Sequence, residues 1–283
     1  MSFPYTVLDV FAAAPLEGNA LAVVHEADGL DEATMLRFAR ETRLSETTFV
    51  QTATEPGADY RNRIFTMGGE LAFAGHPSLG TAVAVARAAG ANEARYVQQT
   101  RAGLQPVEVS GDGRRFRASM LQEPAEFGAE HDPEPFLTAV GLPASAAHPE
   151  LPAQLVSTGL FHLLCPVRDA ALLADVTPDW GALEPLLASA GVIMVYLFAA
   201  DEADGTAHAR GLFFAGGGNE DPATGSACGP LAAYLRVRRG MERLSVIQGI
   251  EMGRPSRLEC AIEGDRVRVG GDVVAIVDGT LTL

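Results

Sequence analysis

The chain repeats itself once. Sliding its 283 residues by 149 positions sets Arg61 on Arg210, Phe65 on Phe214 and Gly68-Gly69 on Gly217-Gly218. The same shift sets Ala74 on Ala223, Gly80 on Gly229, Ala84 on Ala233 and Arg87 on Arg236. Eight identities over these 27 positions exceed the roughly two or three that an Ala- and Gly-rich composition gives by chance. A solenoid needs at least three stacked units, so a single repetition points to two like halves. The stretch from Ala118 to Pro152, rich in Pro, Ala and acidic residues and weak in periodicity, is where one half gives way to the other. The expected halves are residues 1–118, joined by a C-terminal strand over 273–283, and residues 119–272.

Strand-like and helix-like stretches alternate along both halves, which predicts a mixed α/β (α+β) fold. Tyr5 to Phe11, Ala20 to Val24, Thr47 to Gln51 and Arg61 to Thr66 read as strands. Asp31 to Arg40 reads as a helix capped by Asp31, with Met35, Leu36 and Phe38 available for burial. Pro77 to Ala89 reads as a helix with Pro in its first turn and Gly90 at its stop. In the second half, Ser226 is the expected N-cap of a helix with Pro230 in its opening turn and Gly240 after its last Arg. Both repeat helices are apolar nearly all round, so each should run through the middle of its half.

Composition removes several chemistries. All 21 basic residues are Arg, so no Lys exists to form a Schiff base, to serve a P-loop or to pair nucleotide phosphates in a kinase. A net charge of −15 argues against nucleic acid and against anionic membranes as partners. The densest basic run, Arg236, Arg238 and Arg239, suits a helix C-terminus, where cations oppose the dipole. No apolar stretch approaches the roughly 18 residues of a spanning helix, and no signal peptide is visible. Three scattered cysteines, Cys165, Cys228 and Cys260, fit neither a disulfide framework nor a zinc site. The expectation is a reduced, cytoplasmic protein. His25, His131, His148, His162 and His208 stand singly, so no metal is expected.

Each half sets a glycine-rich turn before its apolar helix: FAGHPSLG from Phe73 and EDPATGSACG from Glu220. The start of a buried helix presents unsatisfied amides and partial positive charge, and glycines let a ligand approach the backbone. Two such ends suit a small anion, most simply a carboxylate. Proton-transfer residues gather here: His76 opens the first helix, Asp221 precedes the second, and Glu46 sits in LSETTFV where helix gives way to strand. Taken singly, Glu46 also reads as a solvated strand-end carboxylate, His76 as a capping group and Asp221 as a turn residue before Pro.

Together LDVFAAAPLEGNALAVV (from Leu8), LSETTFV (from Leu44), RIFTMGGELAFAGHPSLG (from Arg63), NEDPATGSACGPLAAYL (from Asn219) and QGIEMGRPSRL (from Gln248) resemble, in this order, the PhzF or phenazine biosynthesis-like family. That family resembles diaminopimelate epimerase in fold. The resemblance runs nearly the whole chain. Ala20, Met67 and Ser78 depart from the family's Pro, Pro and Thr, which bears on substrate shape more than on chemistry.

The resemblance implies two α/β halves, each a curled sheet around a central helix, with a site between them, and a homodimer. It implies Glu46 as general acid and base, assisted by His76 and Asp221, with Ser45, Gly75, Gly225 and Ser226 binding a small anionic substrate. No cofactor is implied. Two-thiol racemases of the wider fold class carry a cysteine in each helix-opening turn; here those places fall on Ala74 and on Pro222 or Ala223, and Cys228 lies further on, as a buried structural residue. A carboxylate can take a proton from carbon at neutral pH where burial raises its basicity, with helix amides stabilising the developing charge. The expected activity is therefore cofactor-independent proton movement between carbons of a carboxylate-bearing molecule. A second reading is a binding or regulatory module without turnover. A hydrolase using Ser226 with His76 is a third, disfavoured because no G-x-S-x-G elbow exists.

Overall fold

An Asp cap, a left-handed stop and an apolar stripe are enough to fix the first helix, and the computed structural model shows how such local signals assemble. The structure describes residues 1–113, 115–214 and 217–283. It divides into two units: residues 1–121 with 270–283, and residues 122–269.

In the first unit the elements are β1 (Ser2–Val10), β2 (Asn19–Val24), α1 (Glu32–Thr42), β3 (Glu46–Gln51), β4 (Tyr60–Phe65), β5 (Glu70–Leu71), α2 (Gly75–Ala88), β6 (Glu93–Thr100), β7 (Gly103–Gly111) and β8 (Phe116–Leu121). Strand β1 pairs antiparallel with β2, β2 runs parallel to β3, β3 pairs antiparallel with β4, and β4 runs parallel to β6. Asp31 caps α1 by accepting from the Thr34 amide at 2.7 Å, and Arg43, in a left-handed conformation, ends it. Met35 and Ala39 of α1 pack with Phe3, Val24, Phe49 and Phe65, the last two edge to face at 5.5 Å.

The second unit holds β9 (Glu126–His131), α3 (Glu134–Ala139), β10 (Ala153–Ser157), β11 (Phe161–Pro166), α4 (Trp180–Ala190), β12 (Met194–Asp201), β13 (Thr206–Phe214), β14 (Gly218–Asp221), α5 (Gly225–Arg239), β15 (Arg243–Gln248) and β16 (Ser256–Glu263). A last strand, β17 (Arg266–Thr282), contributes residues from 270 onward to the first unit, where Phe3 pairs with Leu281 and Val10 with Val273. The pairing order of the first unit recurs here: β10 antiparallel to β11, β11 parallel to β12, β12 antiparallel to β13, β13 parallel to β15.

Each central helix is enclosed. α2 packs against β1, β2, β3, β6, β7 and β8, and α5 against β10, β11, β15 and β16. Their apolar surfaces are accordingly buried on nearly every side, from Gly75 to Ala84 in α2 and from Ala227 to Leu235 in α5. Neither helix could face water with such a composition. The arginines at the end of α5 serve as cations at a helix C-terminus do: Gly240 closes the helix left-handed, Arg238 reaches Glu130 at 2.6 Å, and Arg239 reaches Glu150 at 2.7 Å. No helix among the described residues is long and apolar enough to cross a membrane.

A repeated ion pair corrects the alignment of the halves. Arg63 on β4 forks onto Glu70 with Nε–Oε1 at 2.8 Å and Nη2–Oε2 at 2.7 Å. Arg210 on β13 forks onto Glu220 at 2.8 and 2.6 Å. In the ladders Glu70 faces Phe65 and Glu220 faces Leu212, so each Arg stands two residues before its Glu's partner. Arg63, not Arg61, is therefore the counterpart of Arg210. The offset is 147 in these strands and 150 from Glu70 onward, where Gly75 and Gly225 each open a helix. The hairpin of the second half is three residues longer, and a rigid slide of 149 averages across that insertion.

Candidate active site

In the first unit the chain brings Glu46 and His76 together. Glu46 is the first residue of β3 and His76 the second of α2, whose N-cap position is Ala74 in extended backbone. The threonines after Glu46 fix the strand to its surroundings: Thr48 Oγ1 lies 2.8 Å from Thr81 Oγ1 of α2, and Thr47 Oγ1 lies 2.9 Å from Thr42 Oγ1. Glu46 Oε2 is 3.2 Å from His76 Nε2, with side-chain exposures of 14% and 7%. The carboxylate is thus shielded from water but still reachable.

The charge state of His76 follows from its other nitrogen. Asn19 Nδ2 lies 3.3 Å from His76 Nδ1. An amide nitrogen only donates, so Nδ1 accepts, and the one hydrogen of a neutral ring sits on Nε2, facing Glu46. Burial holds the His76 pKa down at about 3, so the ring is neutral at pH 7. The pair is an uncharged ring nitrogen 3.2 Å from a carboxylate oxygen, close but outside hydrogen-bond geometry in this structure. Gly75 is buried beside His76, where the absence of a side chain leaves the helix-opening amides open to a ligand. Ser45 precedes Glu46 but is exposed.

The second unit brings together Asp221, Gly225 and Ser226. Asp221 ends β14, and its Oδ2 accepts from Thr224 Oγ1 at 2.8 Å. Thr224 occupies the N-cap position of α5, so the expected cap, Ser226, lies instead within the first turn and Pro230 in the second. The reason is that the Thr224 hydroxyl is engaged by Asp221 and Gln248, which start the helix two residues sooner. Ser226 Oγ is 3.1 Å from His162 Nε2, and Gly225 O accepts from Gln122 Nε2 at 2.9 Å.

Gln248, at the end of β15, organises this turn. Its Oε1 accepts from Tyr196 Oη at 2.7 Å and from the Thr224 amide at 3.1 Å. Its Nε2 donates to Asp221 O at 2.6 Å and to Thr224 Oγ1 at 3.0 Å. Every lone pair and hydrogen of the buried amide is used, which locks the Asp221–Thr224 backbone. Asn19, His162, Tyr196 and Gln248 are residues of this architecture to which sequence reasoning gave no role. Asn19 and Gln248 lie inside quoted motifs, the one available signal. His162 and Tyr196 sit in apolar strands and look like core.

The ladders also say what stands opposite Glu46 in the repeat. Thr47 pairs with Phe65 and Val195 with Leu212, so Glu46 corresponds to Met194, a buried residue at the start of β12. One half offers a carboxylate at this place and the other a thioether.

The phenazine biosynthesis-like PhzC-PhzF family model matches residues 8–279. A trans-2,3-dihydro-3-hydroxyanthranilate isomerase of Pseudomonas aeruginosa is 38% identical, covering 97% of this chain and 98% of its own length. Among solved structures, a predicted epimerase from Pseudomonas aeruginosa superposes with a TM-score of 0.86 at 37% identity, covering 99% of each chain. A PhzF-family phenazine biosynthesis protein of Bacillus anthracis does so with a TM-score of 0.87 at 25% identity, covering 100% of each. The halved α/β architecture, the paired helix-opening turns and these matches agree: the chain belongs to the phenazine biosynthesis-like PhzC-PhzF family and is an isomerase.

Proposed function

We propose that this isomerase moves a proton between carbons of a small carboxylate-bearing substrate without a cofactor, with Glu46 as both general base and general acid. The observation that carries the reading is the 3.2 Å contact between Glu46 Oε2 and the neutral His76 Nε2 at the opening of α2. The Glu46 side chain is 14% exposed, which keeps the carboxylate within reach of a substrate hydrogen while shielding it from bulk water. The neutral imidazole beside Glu46 does not compete for the proton at pH 7. Helix-opening amides beside Gly75 supply fixed positive potential where negative charge would develop on the substrate. Met194 stands at the equivalent place of the other half, which therefore has no copy of this carboxylate.

The named activity of the Pseudomonas aeruginosa relative supplies the substrate class: a dihydro-hydroxy-anthranilate, in which a carbon acid, a ring double bond and a carboxylate are conjugated. Asp221, held by Thr224, and Ser226 are read as polar contacts to the rest of that substrate, with Ser45, Gly75 and Gly225 lining it.

The deciding experiment follows trans-2,3-dihydro-3-hydroxyanthranilate by proton NMR in deuterated water. Wild-type protein is expected to isomerise it. Glu46→Gln should lose about 100- to 10,000-fold in rate, the usual contribution of a general acid–base group, while binding anthranilate within a few-fold of wild type. An active Glu46→Gln variant ends the proposal. Wild-type protein that binds but neither converts nor exchanges the substrate is a binding module instead.

A further inference from the structure

Histidine 162 stands where the sister half has plain core. Leu21 pairs with Glu46 and Leu163 with Val195, so, with Glu46 matched to Met194, His162 on β11 corresponds to Leu21 on β2. Leu21 is fully buried, and His162 is 1% exposed. An imidazole at an interior site that tolerates leucine needs a local use for its polarity. The ring meets Ser226, with Nε2 at 3.1 Å from Oγ and the Ser226 backbone as a further partner, while its Nδ1 is buried with no partner among the described residues.

Those facts fix the direction of the bond. Burial holds the His162 pKa down at about 4, so the ring carries one hydrogen at neutral pH. A hydrogen on Nδ1 would be a buried N–H with nothing to receive it, a rarer and costlier defect than an unused lone pair. The hydrogen therefore sits on Nε2 and is donated to Ser226 Oγ. Ser226 then has its own hydrogen to give, and no acceptor among the described residues takes it. Its side chain is half-buried in the first turn of α5, beside helix-opening amides of the same polarity.

We infer that His162 is a positioning residue: by donating to Ser226 Oγ it occupies one acceptor lone pair, fixes the rotamer of the hydroxyl and leaves its hydrogen to be given to an anionic group of the substrate. This rests on the reading of Ser226 as a substrate contact, and it deepens it. The free hydroxyl hydrogen suits an acceptor, such as a carboxylate oxygen.

Two measurements test it. The first is ring-nitrogen NMR of protein carrying 15N-labelled histidine, with the His162 signals identified by their loss in His162→Gln. The expected tautomer is Nε2–H, and Nδ1–H overturns the inference. The second is calorimetric titration with anthranilate. His162→Phe and Ser226→Ala should each weaken binding about tenfold or more, the worth of a hydrogen bond to a charged group. His162→Gln, whose amide can donate from the same place, should stay within a few-fold of wild type. Combining His162→Phe with Ser226→Ala should cost no more than Ser226→Ala alone. Wild-type binding by His162→Phe, additive losses in the double variant, or no binding of anthranilate by wild type each overturn the inference. Failed turnover by wild-type protein would remove the isomerase mechanism, and the tautomer and binding results would still decide His162.

Discussion

The nitrogen of His76 that stands 3.2 Å from Glu46 carries the ring hydrogen without charge, because Asn19 occupies the opposite side of the ring and burial excludes the imidazolium. His162 is neutral for the same second reason. Both folded-state pKa values, about 3 and about 4, lie below the ordinary 6.5, so the unfolded chain takes up protons first as pH falls. Stability from these groups is complete above pH 6.5 and is lost progressively toward pH 4 and 3. Each histidine should withdraw about 3 kcal/mol by pH 4. Urea unfolding midpoints measured from pH 8 to pH 4 check this, and His162→Gln should flatten the decline.

Gly80 brings α2 close to the strands beneath it. A Cβ there would lie 2.6 Å from Leu21 Cδ2 and 2.8 Å from Val10 Cγ2, both fully buried. Gly80→Ala gains helix propensity but overpacks this contact, so the net change should be a loss of about 1–3 kcal/mol. Thermal unfolding reads it, and a stabilised variant would contradict the packing.

Removing the Gln248 amide should loosen the second unit's turn. Gln248→Leu strands Tyr196 Oη and the Thr224 amide, both buried, and frees Asp221 O and Thr224 Oγ1. Each stranded buried group costs about 1–3 kcal/mol. The expected result is a destabilised protein with reduced kcat/KM. Gln248→Glu should do no better, since a carboxylate restores the acceptor and not the two donations.

The cysteines should be silent. Cys165, Cys228 and Cys260 are buried, with burial pushing the Cys165 thiol up to about 12 and Cys228 well above its usual range, the latter helped by Cys260 Sγ at 2.9 Å. Thiolate is the reactive form. Ellman titration of native protein should show no rapid phase, and denatured protein should release three thiols. Iodoacetamide should leave activity intact.

Local and periodic features were legible in the chain. Asp31 caps its helix as its position implies, and all-round apolarity correctly marked α2 and α5 as central. The repeat was visible too, but its register was not. Three extra residues in one hairpin shift Arg63 onto Arg210, and only the ion pairs with Glu70 and Glu220 reveal it. Ser226 looked like a cap because small hydroxyl residues favour that place. Whether it caps depends on Thr224, whose hydroxyl is claimed by a glutamine 24 residues away. Such long-range side-chain bonds leave no periodic trace. His162, amid Phe161, Leu163 and Leu164, reads as core until the neighbouring serine is seen in space.

Met194 in the place matching Glu46 has a stereochemical consequence. A thioether can neither accept nor release hydrogen, so on the proposed mechanism a deuteron or proton lifted by Glu46 has no other acid at the equivalent position to replace it. Departure and delivery then share one face of the ring. On that mechanism the catalyst relocates hydrogen along one face of a molecule and does not invert its handedness.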